Sequence, residues 1–367
     1  MSEVKTCELG DLIEFQRGYD LPKSEFRDGP YPVQSSNGIL GYHIDYKVEG
    51  PGITIGRSGT VGIPHYLNEN FYPHNTTLFV KDFKGNDRKY IYYLLKHLKL
   101  NDFKTGSGVP TMNRNHLHPL KVNAFIDKNY QVKLSSILSI LDQKIALNNQ
   151  INEELEAMAK TLYDYWFVQF DFPDENGKPY KSSGGKMVYN DQLKREIPEG
   201  WGVESVGNLL DKVTKAEKIE NNSIEFIGEI PVIDQSQKYI AGFTNNENVI
   251  LQPQDGHVIF GDHTRVVKYI NFDYARGADG TQVLISNNEN ISNVLLYHMI
   301  EDFDLSNYGY ARHFKFLKEK TVIVPDKEVS SKFETQANVI YEKIKNNIFE
   351  NQELTQLRDW LLPMLMN

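Results

Sequence analysis

The stretch LSSILSILDQKIALNNQINEELEAMAKTLYDYW (Leu134–Trp166) decides the fold. Its apolar residues fall on a seven-residue period. Leu134, Leu141, Asn148, Leu155 and Leu162 occupy one row of the seam, and Leu138, Ile145, Asn152, Ala159 and Trp166 occupy the other. Such a period predicts one long helix packed along another helix. At 1.5 Å per residue the helix is about 50 Å long.

Its partner is in the same chain, 199 residues further on. Phe333, Ile340, Asn347, Leu354 and Leu361 repeat the first row, and Ala337, Ile344, Asn351, Arg358 and Leu365 the second. The asparagines coincide, Asn148 with Asn347 and Asn152 with Asn351. Buried asparagines in a heptad seam set register at some expense of stability, which suits two helices packed on each other. Two unrelated amphipathic helices would have no reason to share this polar layer. Arg358 breaks the seam near its end, and Pro363 fits only in the last turn. If the pair is antiparallel, the globules between the helices lie at opposite ends of a rigid spacer.

The globules repeat as well. PYPVQSSNGILGYH (Pro30–His43) matches EIPVIDQSQKYIAGF (Glu229–Phe243), with Pro32 on Pro231 at an offset of 199. ITIGRSGTVG (Ile53–Gly62) matches VIFGDHTRVV (Val258–Val267), Gly56 on Gly261 at 205. TGSGVPTMNRNHLHPLKV (Thr105–Val122) matches NYGYARHFKFLKEKTVIV (Asn307–Val324), Leu117 on Leu317 at 200. Four matches in one order at nearly one offset define an internal duplication. Each globule reads as mixed α/β (α+β). Short strands (Ile53–Ile55, Thr77–Val80, Val258–Phe260, Thr321–Val324) stand beside one helix, Tyr90–Lys99 or Asn293–Ile300. Between the halves, Phe170–Trp201 is a turn-rich connector with a hairpin expected around DENGKPY.

The chain of 367 residues carries 40% apolar and 24% charged residues, a globular composition. Its single cysteine, Cys7, excludes internal disulfides and thiolate metal clusters. No run approaches the ~20 apolar residues of a membrane span, and the N-terminus has no apolar signal core. A cytoplasmic protein without a membrane role is the expectation. The net charge of −9 argues mildly against nucleic acid, but its distribution matters more. Residues 1–134 carry +3 and six of the ten histidines; residues 135–171, 172–332 and 333–367 carry −4, −6 and −2.

Catalytic constellations are missing. SSGGKM has the Gly-Lys pair of a phosphate loop, but Tyr180 stands where its first glycine should be and Met187 follows the lysine. No glycine fingerprint of a dinucleotide site follows a strand. Pro173-Asp174 and Pro325-Asp326 lack the acid-x-lysine of a Mg²⁺ nuclease, and the Asn/Asp-Pro-Pro-Tyr loop of amino-methyltransferases does not occur. His116-x-His118 has no supporting cysteine or carboxylate nearby, so both read as loop or strand-end histidines. Glu153, Glu154 and Glu156 read as solvated helix positions. No catalytic residue, metal site or cofactor is expected in this chain.

The glycine-led loops instead hold side chains that read base edges and phosphates, arginine and lysine for guanine and phosphate, asparagine and glutamine for adenine. In the first globule these are Gln34, Ser36, Asn37, Arg57, Ser58, Thr60, Asn113 and Arg114. The matching loops of the second hold Gln235, Gln237, His263, Thr264, Arg265, Tyr310, Arg312, His313 and Lys315. Any one polar loop residue is as readily just solvent-exposed; the recurrence at equivalent turns favours recognition, with Arg57 and Arg312 leading.

YPVQSSNGILGYH, ITIGRSGTVG, GVPTMNRNHL, LDQKIALNNQINEELEAMAKTLYDYWFVQFDF, EIPEGW and GYARHFKFLKEKTVIVP together resemble the specificity subunits of type I restriction–modification systems, in family order over nearly the whole chain. The resemblance implies two target-recognition domains (1–131 and, with the connector, 171–331), separated by two spacer helices (132–170 and 332–367) in an antiparallel, pseudo-two-fold coiled coil. It implies a non-catalytic subunit that reads a bipartite target in double-stranded DNA across a fixed gap. Two modification subunits would bind S-adenosylmethionine and methylate adenine, and restriction subunits would supply ATP- and Mg-dependent translocation and cleavage. The second turn, GDHTRVV, departs from the first, which weakens transfer of a role to Arg265. The rival reading is a coiled-coil scaffold that never recognises DNA specifically.

Overall fold

The computed structural model describes residues 3–103, 111–211, 217–277, 279–309 and 312–366. Four helices of eight residues or more stand out, α1 (Arg88–His97), α2 (Lys128–Tyr163), α3 (Asn293–Ile300) and α4 (Lys327–Met366). The chain divides into two compact units. Residues 1–147 with 350–367 form the first, and 148–349 the second, so each unit owns part of both long helices.

In the first unit, β1 (Val4–Glu8) pairs antiparallel with β9 (Lys121–Phe125). A four-stranded sheet runs in the order β2 (Glu14–Arg17), β8 (Thr77–Asp82), β5 (Gly52–Gly56), β6 (Pro64–Leu67). A second sheet sets β3 (Tyr31–Ser35) antiparallel to β4 (Gly38–His43) and parallel to β7 (Tyr72–Pro73). Strand β5 is buried along its whole length, as a continuous apolar run in a sheet centre must be. Helix α1 turns Tyr90, Ile91, Leu94 and Leu95 into this core. Asp87 caps it by accepting from Tyr90 N at 2.8 Å, and the Asp87 amide donates to Gln131 Oε1 on α2 at 2.8 Å. Fully buried Gln131 also donates to the Phe125 carbonyl, so α2 is fastened where it leaves β9.

The second unit repeats the plan. β12 (Gly202–Ser205) pairs antiparallel with β20 (Thr321–Val324). β13 (Ile230–Ile233) is antiparallel to β14 (Gly242–Thr244) and parallel to β18 (Tyr274–Arg276), which also carries β15 (Ile250–Leu251). β16 (His257–Gly261) lies between β17 (Val267–Ile270) and β19 (Thr281–Leu284). Every pairing of β1 and β9, of β3, β4 and β7, and of β5, β6 and β8 thus recurs in the same sense. The duplication read from sequence is a duplication of topology. The connector adds the hairpin β10 (Met187–Asn190) to β11 (Arg195–Pro198). At DENGKPY, Pro173 bridges Pro179 and Asp174 accepts the Asn176 and Lys178 amides at 2.8 Å, the expected small hairpin.

The long helices begin at Lys128 and Lys327, ahead of the starts at 132 and 332 expected for the spacers. Within each unit they run antiparallel, since partner numbers fall on one helix as they rise on the other. Asp142 pairs with Arg358 at 2.8 Å and Lys144 with Glu350 at 3.2 Å in the first unit. Asn347 donates to Asn152 Oδ1 at 2.8 Å, and Phe333 meets Phe167, in the second. None of the twenty seam residues is exposed. Asn148 and Asn347 are buried, the polar layer that fixes register. Pro363 falls inside the last turn of α4.

Arg358 does not break the seam. Its guanidinium stays largely buried because Asp142, from the facing helix, and Asp359 both accept from it, while Tyr93 Oη donates to Asp142 at 2.7 Å. Asp142→Ala is expected to cost about 1–3 kcal/mol by leaving part of that charge unpaired. Asp142→Leu with Arg358→Met should recover most of the loss, because a matched apolar pair removes both desolvation penalties. A double-mutant cycle in urea checks this; additive costs would show that the two groups are not coupled.

Past Tyr163, α2 ends in a single π-turn, Asp164–Val168. The turn swings Trp166 and Phe167 onto Phe333, and Phe167, Phe170 and Phe172 then pack on Trp201 with ring centroids 5.0–5.8 Å apart. Trp201 Nε1 donates to Asp326 just before α4. WFVQFDF and EIPEGW are therefore the two sides of one aromatic cluster.

Candidate nucleic-acid interface

In the first unit four loops meet beyond β3, β5, β7 and the turn at 111–114. The Arg57 amide donates to the Thr76 carbonyl at 2.8 Å, and the Arg57 carbonyl accepts from Met112 N at 2.8 Å. Ser58 bridges Thr111. The Ser36 amide donates to Thr76 Oγ1 at 3.3 Å, and the Gln34 carbonyl accepts from His74 N at 2.8 Å. Gly56 has to be glycine here, because a Cβ would lie 1.7 Å from the Thr60 carbonyl oxygen. The turn then reverses through Gly59 and Gly62 at positive φ.

The second unit assembles the same four loops. The Asp262 amide donates to the Gly280 carbonyl at 2.8 Å, as Arg57 does to Thr76. Thr264 Oγ1 donates to the Gln235 carbonyl at 2.6 Å, and Gln235 Oε1 accepts from His263 N at 3.1 Å. The His313 amide donates to the Asp262 carbonyl at 2.9 Å. A Cβ on Gly261 would lie 2.2 Å from Thr264 Oγ1 and 3.0 Å from Gln235 Cβ. The two glycines thus serve one device twice: each lets a turn fold back tightly over the strand end.

The outward side chains are Asn37, Thr60, Asn113 and Arg114 in the first cluster, with Arg57 and Ser58 half-buried at its centre. In the second they are Gln237, His263, Thr264, Arg265, Arg312 and Lys315, with Gln235 half-buried. Tyr310 lies outside the described residues. Gln34, Ser36 and His313 turn inward. Gln34 Nε2 donates to the Ser35 carbonyl at 2.9 Å, and His313 Nδ1 lies 3.0 Å from the Asp262 carbonyl. These three are buried and shape the loops instead of facing outward. Asn113 Oδ1 caps the short helix Arg114–Leu117 by accepting from Asn115 N, which aims Arg114 at solvent.

Charge is arranged to match. Among the described residues Arg57, Arg114, Arg265, Arg312 and Lys315 form no ion pair. Two acids of the second cluster have partners of their own. Asp262 accepts from Phe314 N at 2.9 Å, and Asp279 is held by Lys218 at 2.9 Å, a pairing that keeps its carboxyl below the usual range. Asp279 also feels Arg312, and Asp304 feels Arg265, so acids lie near these cations without pairing to them. His118 is turned into the fold: its Nε2 accepts from Phe15 N at 3.0 Å, and its ring lies on Phe15.

The departure at Arg265 now has a physical account. The Arg265 amide donates to the Gly261 carbonyl at 2.7 Å, just as Gly62 donates to Gly56 at 2.9 Å. Arg265 thus fills the left-handed position of Gly62, at φ +65°, and is not the counterpart of Arg57. Arg265→Gly removes about 1 kcal/mol of backbone strain while losing only a side chain. Thermal unfolding should show unchanged or slightly higher stability, so any loss of DNA selectivity in this variant reports a lost contact; a large drop in Tm would refute this placement.

Paired polar loops at the ends of duplicated sheets, with arginines free of ion pairs among the described residues, are what a modular reader of nucleic acid needs. Comparison with known proteins agrees. Residues 1–157 match the family described as type I restriction modification DNA specificity domain. The Type I restriction enzyme MjaIX specificity subunit of Methanocaldococcus jannaschii is 25% identical over 311 residues, covering 76% of this chain and 68% of that protein. The HindI specificity subunit of Haemophilus influenzae is also 25% identical, covering 66% of this chain and 67% of that protein. A crystal structure of the type I restriction–modification S subunit from M. genitalium shares the fold across 100% of this chain and 96% of that one, with a TM-score of 0.63 at 17% identity. Residues 1–157 carry a type I restriction–modification DNA specificity domain, and the whole chain is similar to the specificity subunits of these systems, their DNA-recognition and non-catalytic component. Among the described residues no helix is long and apolar enough to cross a membrane.

Proposed function

We propose that each unit reads one half of a bipartite target in double-stranded DNA, that the paired long helices fix the gap between the halves, and that the protein works in the cytoplasm with two copies of an adenine-methylating modification subunit. Those subunits bind S-adenosylmethionine, and restriction subunits bring ATP- and Mg-dependent translocation and cleavage. The recurrence of one loop cluster at equivalent strand ends carries this reading. A single recognition surface would need the device once; a scaffold would not need it at all.

The number of modification subunits has its own support. In the second unit Met158, Tyr165 and Val339 line an apolar groove of about 740 Å³ along the two helices, with Val339 70% exposed. Shifted by 199, the same helix faces in the first unit show Leu357, Met364 and Ile140, all exposed, and Trp360 beside them at 61%. Exposed apolar faces on spacer helices call for a covering partner. Two equivalent faces suit two copies of one partner.

Mapping methylated adenines in a host that expresses the modification subunit, with and without this chain, tests the function. A new bipartite motif with a fixed gap is the expected result. Arg57→Ala should then relax one half of the motif and Arg312→Ala the other, each by about 1–3 kcal/mol of discrimination if the contact is bidentate to guanine. Assembly with the modification subunit should be unaffected. Indifference to both changes would favour the scaffold.

A further inference from the structure

Beneath each reading loop lies a basic side chain that the duplication puts in the same place. On β6, His65 pairs across from Thr54 of β5; on β17, Lys268 pairs across from Ile259 of β16. Strand for strand these are equivalent positions. Lys268 is 4% exposed, and its ammonium donates to the carbonyls of Asp234 at 2.7 Å and Lys238 at 2.5 Å. The Asp234 carboxylate lies 3.9 Å away. Those two carbonyls bracket Gln235, Ser236 and Gln237, so one amine ties both ends of the loop that carries them. Asp234 in turn accepts from Ser236 N at 2.9 Å. In the first unit the Ser36 backbone, beside Asn37, is the group that favours the charged His65 ring against its burial. His65 Nε2 is buried without a partner among the described residues.

Neither group is accounted for by stability. Burial lowers the Lys268 amine from its ordinary value to about 8, and burial also lowers His65. A charge held in this way weakens the fold at neutral pH unless its hydrogen bonds do something else. The bonds of Lys268 go to backbone carbonyls at two points of its loop. A methionine there would pack in the strand just as well and leave the loop untied.

Resting on the recognition reading above, we infer that Lys268 and His65 are positioning residues, each setting the conformation of its own unit's reading loop and so the selectivity of one half-site. They touch no DNA; they act through Gln235–Gln237 and through Ser36–Asn37. Replacement therefore changes which bases are accepted in one half and spares the other half and the gap.

The test uses the full chain with its modification subunit and genome-wide adenine methylation as readout. Lys268→Met is expected to make the half-site that Arg312→Ala also affects degenerate, with methylation at off-motif bases there rising about tenfold or more. Lys268→Arg, which keeps donors on a long stem, should restore the wild-type motif. His65→Phe should relax the other half. Full selectivity in Lys268→Met, or failure of both halves together while Lys268→Arg behaves the same way, overturns the inference. Absence of any bipartite motif with the unsubstituted chain overturns the recognition reading itself, and this inference with it.

Discussion

Replacing Phe333 by alanine is expected to destabilise residues 148–349 by about 3–5 kcal/mol, the cost of deleting a large buried side chain that its surroundings cannot refill. Phe333 is fully buried at a seam position of α4. Its ring meets Phe167 edge-on at 5.1 Å, His298 at 5.8 Å, Trp166 at 6.2 Å and Tyr163 at 6.3 Å. Each such aromatic pair adds about 0.5–1.5 kcal/mol beyond area burial. The neighbours are themselves locked, since Phe167 packs on Trp201 and Tyr341 Oη lies 3.2 Å from His298 Nε2. Collapse into the cavity is therefore small. The melting temperature of this unit should fall by roughly 6–20 °C. Phe333→Leu keeps most of the volume and should cost well under half as much. A loss below about 1 kcal/mol for the alanine variant would show that the cavity closes and that the cluster does not hold the connector to α4.

This position also shows how much of the fold sequence alone disclosed. The seam was legible because a strict heptad has few other physical explanations, and the asparagine layer aligned the two copies. Arg358 was legible as a seam residue but not as a satisfied one: its partner Asp142 lies at a position outside either seam row, and charge pairing across helices leaves no periodic mark. The π-turn at Asp164–Val168 had no sequence signal, although it is what brings WFVQFDF to Phe333 and Trp201.

The loops divide along the same line. Glycine marks where the backbone must turn, so the positions of the clusters could be read. Which polar side chains face outward could not. Gln34 and His313 satisfy backbone groups within the loops, and a single sequence does not distinguish that from exposure. Lys268 was missed for the opposite reason. A lysine in VVKYI reads as the solvent face of a strand, and only the carbonyls of Asp234 and Lys238 explain why it is buried. The alignment of GDHTRVV with GRSGTVG misled at one residue, because the second turn is two residues shorter and Arg265 stands where Gly62 does.

Lengthening both long helices by one heptad is expected to change the gap in the methylated motif and nothing else about it. Seven residues inserted between Asp142 and Asn152, matched by seven between Asn347 and Arg358, preserve the antiparallel register defined by Asp142 with Arg358 and by Asn152 with Asn347. A whole heptad also returns the seam to the same face, which a four-residue insertion would not. The added length is about 10 Å at 1.5 Å per residue. On a duplex rising 3.4 Å per base pair this is about three base pairs. If the helices act as the ruler, the gap should grow by about that number, with both half-sites read as before because no loop has been altered. Three base pairs also turn the duplex by about 100° at 10–10.5 base pairs per turn. Methylation should therefore be slower as well as shifted, and inserting three heptads, about nine base pairs, should restore more of the rate than one by bringing the half-sites nearly back to the same face. Methylation mapping reads all three quantities at once: half-sites, gap and extent. An unchanged gap in a folded, active variant would remove the ruler from the mechanism, leaving the helices to dock the partner subunits alone; altered half-sites would place part of the reading surface on the helices themselves.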